Sequence, residues 1–81
     1  MDIEKILLKY DEMIAKGELR AAAGYLEKKA AQCGEEGYST SAITIFNELE
    51  GFWRVAGEKE KSYAAAEAAL ALIATCKMEG S

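Results

Sequence analysis

Apolar residues recur along this chain at spacings of three and four, and glycines interrupt the pattern at intervals. Asp2 can cap a first helix whose stripe is Ile3, Ile6, Leu7, Tyr10, Met13 and Ile14, with Lys5, Lys9, Glu12 and Lys16 on the wet side and Gly17 closing it. The same spacing returns in Leu19, Ala22, Ala23, Leu26, Ala30 and Cys33, which predicts a second helix from about Glu18 through Cys33. Gly34 to Gly37 breaks the pattern. Ser39 then offers a cap for a third helix, with Tyr38 and Ile43 placed as a hydrophobic staple. That helix runs to Ala56 and carries Phe46, Leu49, Phe52, Trp53 and Ala56 on one face, so most of the aromatic area available to a core lies in it.

Beyond Gly57, the acids Glu58 and Glu60 stand at the positive end of a fourth helix that continues through Lys77. Two apolar stripes share it. Tyr63, Ala66, Leu70 and Ile73 are expected to pack on the third helix, while Ala65, Ala68, Ala69, Leu72 and Cys76 lie roughly a third of a turn away. So wide an arc calls for a second neighbour. The short hinges Gly17-Glu18 and Gly57-Glu58 leave no room for a long excursion and fold each helix back antiparallel on the one before. Gly24, in the second helix, reads either as a point of close helix approach or as a tolerated surface glycine.

Composition reinforces this reading. The chain has 81 residues, which leaves no room for a second core, and it lacks proline altogether. The net charge of −4 is spread through every segment without a basic face, which argues against nucleic acid as a partner. Cys33 and Cys76 form no C-x-x-C pair, histidine is absent, and the start lacks an apolar signal region. These features predict a cytoplasmic chain with thiols as small apolar fillers, a redox or interchain disulfide being the other use of such residues. The uncharged apolar run Ala68 to Cys76 is far too short to span a membrane. Glu35-Glu36 and Glu48-Glu50 point in divergent directions, so neither pair makes a converged acid or metal site. No phosphate loop and no nucleophile beside a plausible base accompany them, and a catalytic, metal or cofactor role is not expected.

Sliding the chain on itself by 40 residues superposes Gly17-Glu18 on Gly57-Glu58, Met13 on Trp53, Ile6 on Phe46, Ala15 on Val55 and Leu26 on Ala66. Each half is then a helix, a short hinge and a helix, one unit used twice. The second half resembles a tetratricopeptide repeat (TPR). Phe46, Leu49, Trp53 and Gly57 stand at that family's first-helix positions, and Ser62, Ala66 and Ala69 at its small positions after the hinge. In the first half, Ile6, Met13, Gly17, Ala22 and Leu26 match less closely. Glu50 replaces a usually small residue, no proline closes either second helix, and the period of 40 exceeds the usual 34, as in the longer-helix variants common in bacterial members.

The resemblance implies an all-α fold of two antiparallel helix hairpins stacked as a right-handed superhelical array, with repeat one over about 2–36 and repeat two over about 39–79. It also implies a non-catalytic scaffold that binds a protein or peptide along its first helices. The family's groove positions fall on Leu7, Asp11, Ile14, Asn47, Gly51, Arg54 and Val55. Independently of the family, Asn47, Gly51 and Arg54 share one helical face. There Gly51 lets a ligand backbone come close, Asn47 can bond a peptide group, and Arg54 can fork onto a carboxylate; the plainer alternative is a solvated Arg54 and a packing notch at Gly51. Leu7 and Asp11 do not suit the family's clamp for a terminal carboxylate. Two repeats are few for a stable array, so the stripe Ala65, Ala68, Ala69, Leu72 and Cys76 is expected to meet either a second copy or a further repeat beyond Ser81. A homodimerising four-helix bundle without a groove is the alternative.

Overall fold

The structure, a computed structural model, describes the backbone of residues 2–80 and the side chains of residues 2–75. Four helices follow one another: α1 (Ile3–Ala15), α2 (Leu19–Glu36), α3 (Ser39–Val55) and α4 (Lys59–Gly80). The all-α expectation and the helix number therefore hold. Asp2 caps α1 as the sequence indicates, its carboxylate accepting from the backbone N–H of Glu4 at 3.1 Å and of Lys5 at 3.4 Å.

Three turns of one design join the helices. Gly17, Gly37 and Gly57 have φ of 81°, 84° and 82°, a left-handed conformation that glycine adopts without a Cβ penalty. In each turn the residue after the glycine donates its N–H back across the helix end: Glu18 to the Met13 carbonyl at 2.9 Å, Tyr38 to Cys33 at 2.8 Å and Glu58 to Trp53 at 2.9 Å. The same residue's carbonyl accepts the first bond of the next helix, from Ala22, Ala42 and Ser62 in turn. Helix end and helix start thus share one residue. This geometry corrects two expectations. Helix α2 does not stop at Cys33 but runs through Gly34 to Glu36, because Gly37 is the residue that turns left-handed. Ser39 is not the cap of α3; Tyr38 occupies that position, half exposed and without a side-chain bond, and so no longer stands one residue before the cap as the expected staple requires.

Each helix packs chiefly on its sequence neighbours, and among the described residues no other pair makes more than marginal contact. The result is an open serial stack, with Cα extents of 42 × 28 × 15 Å, rather than a closed bundle in which α1 would meet α4. Its core joins Ile6 and Tyr10 of α1, Ala22, Ala23, Leu26, Ala30 and Cys33 of α2, Ala42, Ile45 and Leu49 of α3, and Ala65 of α4. Leu26, Ile45 and Leu49 are the largest fully buried side chains besides Cys33, each worth roughly 1.5–3 kcal/mol of burial. Leu19, expected inside, is half exposed at the first position of α2.

Two faces are corrected. On α3 the buried line is Ala42, Ile45 and Leu49; Phe46, Phe52 and Trp53 pack around it half-buried, and Ala56 is exposed. A helix with neighbours on both sides buries its centre line and leaves the larger rings at the margins. On α4 the inward face is shifted. Ser62, Ala65 and Ala69 are buried and Leu72 packs against the core, whereas of the stripe expected there Ala66 and Ile73 are half-buried and Tyr63 and Leu70 are 65% and 64% exposed. The expected outer stripe is thus mostly an inner one, with Ala68 half-buried beside it and the side chain of Cys76 outside the described residues. The reason is steric: alanines and a serine let the α4 backbone come close to α3, whose Leu49 and Trp53 already occupy the space between them.

Candidate functional site

A groove of about 750 Å³ opens between α1 and α3, close to the turns at Gly17 and Gly57. Its floor is aromatic. Tyr10 of α1 and Phe52 of α3 meet edge to face with ring centroids 6.5 Å apart and planes at 73°, and Phe52 meets Trp53 at 4.9 Å and 78°. Ile14 of α1, Leu19 at the head of α2, and Val55 and Ala56 at the end of α3 extend the apolar wall. Asn47, Glu48, Glu50, Gly51 and Arg54 complete the lining from α3.

Of the seven positions the family resemblance indicates, five lie together in this lining: Ile14, Asn47, Gly51, Arg54 and Val55. Asp11 and Leu7 do not line it. Asp11 is exposed nearby and Leu7 is half-buried elsewhere on α1. Sequence reasoning missed Tyr10, Phe52, Leu19, Glu48, Glu50 and Ala56. Tyr10 and Phe52 belong to the stripes assigned to the core, and both in fact pack against it while also reaching the groove.

Gly51 is not a packing notch. A Cβ built there meets nothing within 4 Å, so the missing side chain simply widens the groove. Gly24 likewise faces open space and is an exposed surface glycine.

Arg54 is engaged within its own helix, where its guanidinium lies 3.5 Å from the Glu50 carboxylate one turn earlier. Glu50 also accepts the Ser62 hydroxyl, at 3.2 Å on its backbone carbonyl and 3.4 Å on its carboxylate. This accounts for a glutamate at a usually small position: the buried Ser62 of α4 supplies a hydroxyl to meet it. Among the described residues neither Asn47 nor Glu48 has a side-chain partner, and both are exposed to the groove. Burial pushes the Tyr10 phenol above its ordinary value, and the charges of Glu48 and Asp11 push it further the same way.

A smaller cleft of about 330 Å³ lies against α2 and α4, lined by Glu27, Phe46, Leu49, Trp53, Lys61, Ala64 and Ala65. The Lys61 ammonium sits 4.5 Å from the centre of the Trp53 ring, a cation–π contact that covers the ring's outer face. Among the described residues no cluster of three or more His, Cys, Asp and Glu is placed to hold a metal, and no helix is long and apolar enough to cross a membrane. Comparisons with protein-family models, with curated proteins and with solved structures find no match for this chain.

Proposed function

We propose that this chain is a non-catalytic helical-repeat module of the tetratricopeptide type, binding a segment of another protein in the groove between α1 and α3. The observation that carries this reading is the groove itself. It is large enough for several side chains, has an aromatic floor and polar groups at one edge, and is formed by the first helix of each hairpin. The serial packing of the helices supports it, since a stack leaves such a face uncovered where a closed bundle would fill it.

The test is an amide-resolved NMR titration with a library of short peptides, repeated on Gly51→Phe. A Cβ at Gly51 meets nothing within 4 Å and the position lines the groove, so a phenyl ring carried there extends into it. Shifts confined to residues 47–56 and to α1, lost in Gly51→Phe, are the expected result. Shifts elsewhere, or shifts that survive the substitution, reject the groove.

A second reading, self-association through α4, is favoured by the exposure of Tyr63 and Leu70 on one helix face. Light scattering over a range of concentrations checks it, on the native chain and on the Tyr63→Glu, Leu70→Glu double variant. A monomer throughout disposes of this second reading.

A further inference from the structure

Resting on the reading of the groove as a protein-binding site, we infer that it selects a cationic amphipathic segment, one that seats apolar side chains on Tyr10 and Phe52 and sets a lysine or arginine against Glu48. Helical spacing alone suggests the opposite, an Arg54 that forks onto a ligand carboxylate. Two features bear on that polarity.

First, the lining holds two carboxylates, Glu48 and Glu50, against one cation, Arg54. Arg54 and Glu50 neutralise each other at 3.5 Å, and the Ser62 hydroxyl donates to the same carboxylate oxygen at 3.4 Å. Glu48 is left as the charge without a partner among the described residues. An anionic ligand would meet Glu48 directly and find in Arg54 a cation already paired with Glu50, whereas a cation finds in Glu48 a carboxylate without such a partner.

Second, the helix ends leave this sign to the side chains: the partial negative charge of the α1 and α3 C-termini, where Ile14, Val55 and Ala56 line the groove, is offset by the α2 N-terminus, which enters the same lining at Leu19. The apolar surface of Ile14, Leu19 and Val55 in the same lining calls for an amphipathic ligand, since a wholly polar one would leave it uncovered.

The probe is a synthetic amphipathic peptide of about a dozen residues, acetylated and amidated, with leucine on one face and lysine on the other, compared with its glutamate-for-lysine counterpart. The lysine peptide is expected to bind about tenfold or more tightly at low salt and to shift the resonances of residues 47–56. In Glu48→Lys its affinity falls about threefold to fivefold, the size of one exposed ion pair, and the glutamate peptide gains. Glu35→Lys makes the same change in net charge at an exposed site outside the groove lining and is expected to leave the preference nearly intact. Equal binding of the two peptides at residues 47–56 overturns the cation preference while leaving the groove in place. An equal loss in Glu35→Lys and Glu48→Lys overturns it too, by showing attraction to overall charge. Absence of shifts at residues 47–56 with either peptide removes the groove reading, and the preference with it.

Discussion

The two terminal helices bury opposite kinds of residue. Helix α1 turns large side chains inward: Ile6 and Tyr10 are buried, and Ile3, Met13 and Ile14 pack against the core. Helix α4 turns small ones inward, Ser62, Ala65 and Ala69, and leaves Tyr63 and Leu70 in the solvent. Each has its main contact with a single neighbouring helix, yet α4 lies far closer to α3 along its length than α1 lies to α2. Hydrophobicity alone therefore does not choose the buried face. Where the facing helix already projects large groups, as α3 does with Leu49 and Trp53, the face that packs is the one that lets the backbones approach, and dispersion contacts along a close seam outweigh the burial of two larger side chains.

Substitutions that trade the roles of these helices test the contrast. The largest effect is expected for Ile6→Ala, which empties a buried site on α1 and should cost about 2–5 kcal/mol in urea unfolding. On α4 the equivalent damage comes from enlargement: Ala69→Leu overfills the α3–α4 seam and should cost about 1–3 kcal/mol. If Ala69→Leu is neutral, the seam is not close-packed and the contrast fails. Gly51→Ala moves stability the other way, by about 0.5–1 kcal/mol, since the position is helical and a Cβ meets nothing there.

Helix α1 also carries a pH signature. Tyr10 has its pKa raised in the folded state, so the folded chain holds the phenolic proton more tightly than the unfolded chain. Its contribution to stability is therefore fully present below the ordinary tyrosine value of 10.0 and is lost as pH rises through the folded value. Urea midpoints measured upward from about pH 9, below the ordinary tyrosine range, should fall more steeply in the native chain than in Tyr10→Phe. The smallest effect belongs to Leu70→Ala, expected within about 0.5 kcal/mol of the native chain because the side chain is already in solvent. A loss comparable to that of Ile6→Ala would restore Leu70 to the core and refute the assigned α4 face.

Part of the groove is legible in the amino-acid sequence. Asn47, Gly51 and Arg54 lie on one face by helical period alone, and all three line it. The pairing of Arg54 with Glu50 four residues earlier is itself a matter of helical spacing, but the Ser62 hydroxyl that meets the same Glu50 arrives only when α4 packs on α3. Tyr10 and Phe52 are hidden for a different reason: an apolar residue on a stripe reads as core, and only the gap between α1 and α3 gives it a second, wet side. The twenty-residue spacing of Gly17, Gly37 and Gly57 marks all three turns at once, whereas the forty-residue superposition catches two of them.

The helices, their number, the cap at Asp2 and the antiparallel turns are all written in the local sequence. They rest on interactions between residues no more than a few positions apart, which period, capping chemistry and the left-handed tolerance of glycine express directly. Packing settled the rest: which arc of α4 faces inward, that Ala42 and Ile45 form the centre line of α3, and that the charge without a partner in the groove is negative. Those outcomes depend on which side chains from distant parts of the chain compete for the same space, and an arc that is apolar on two sides leaves that competition open until its neighbour is in place.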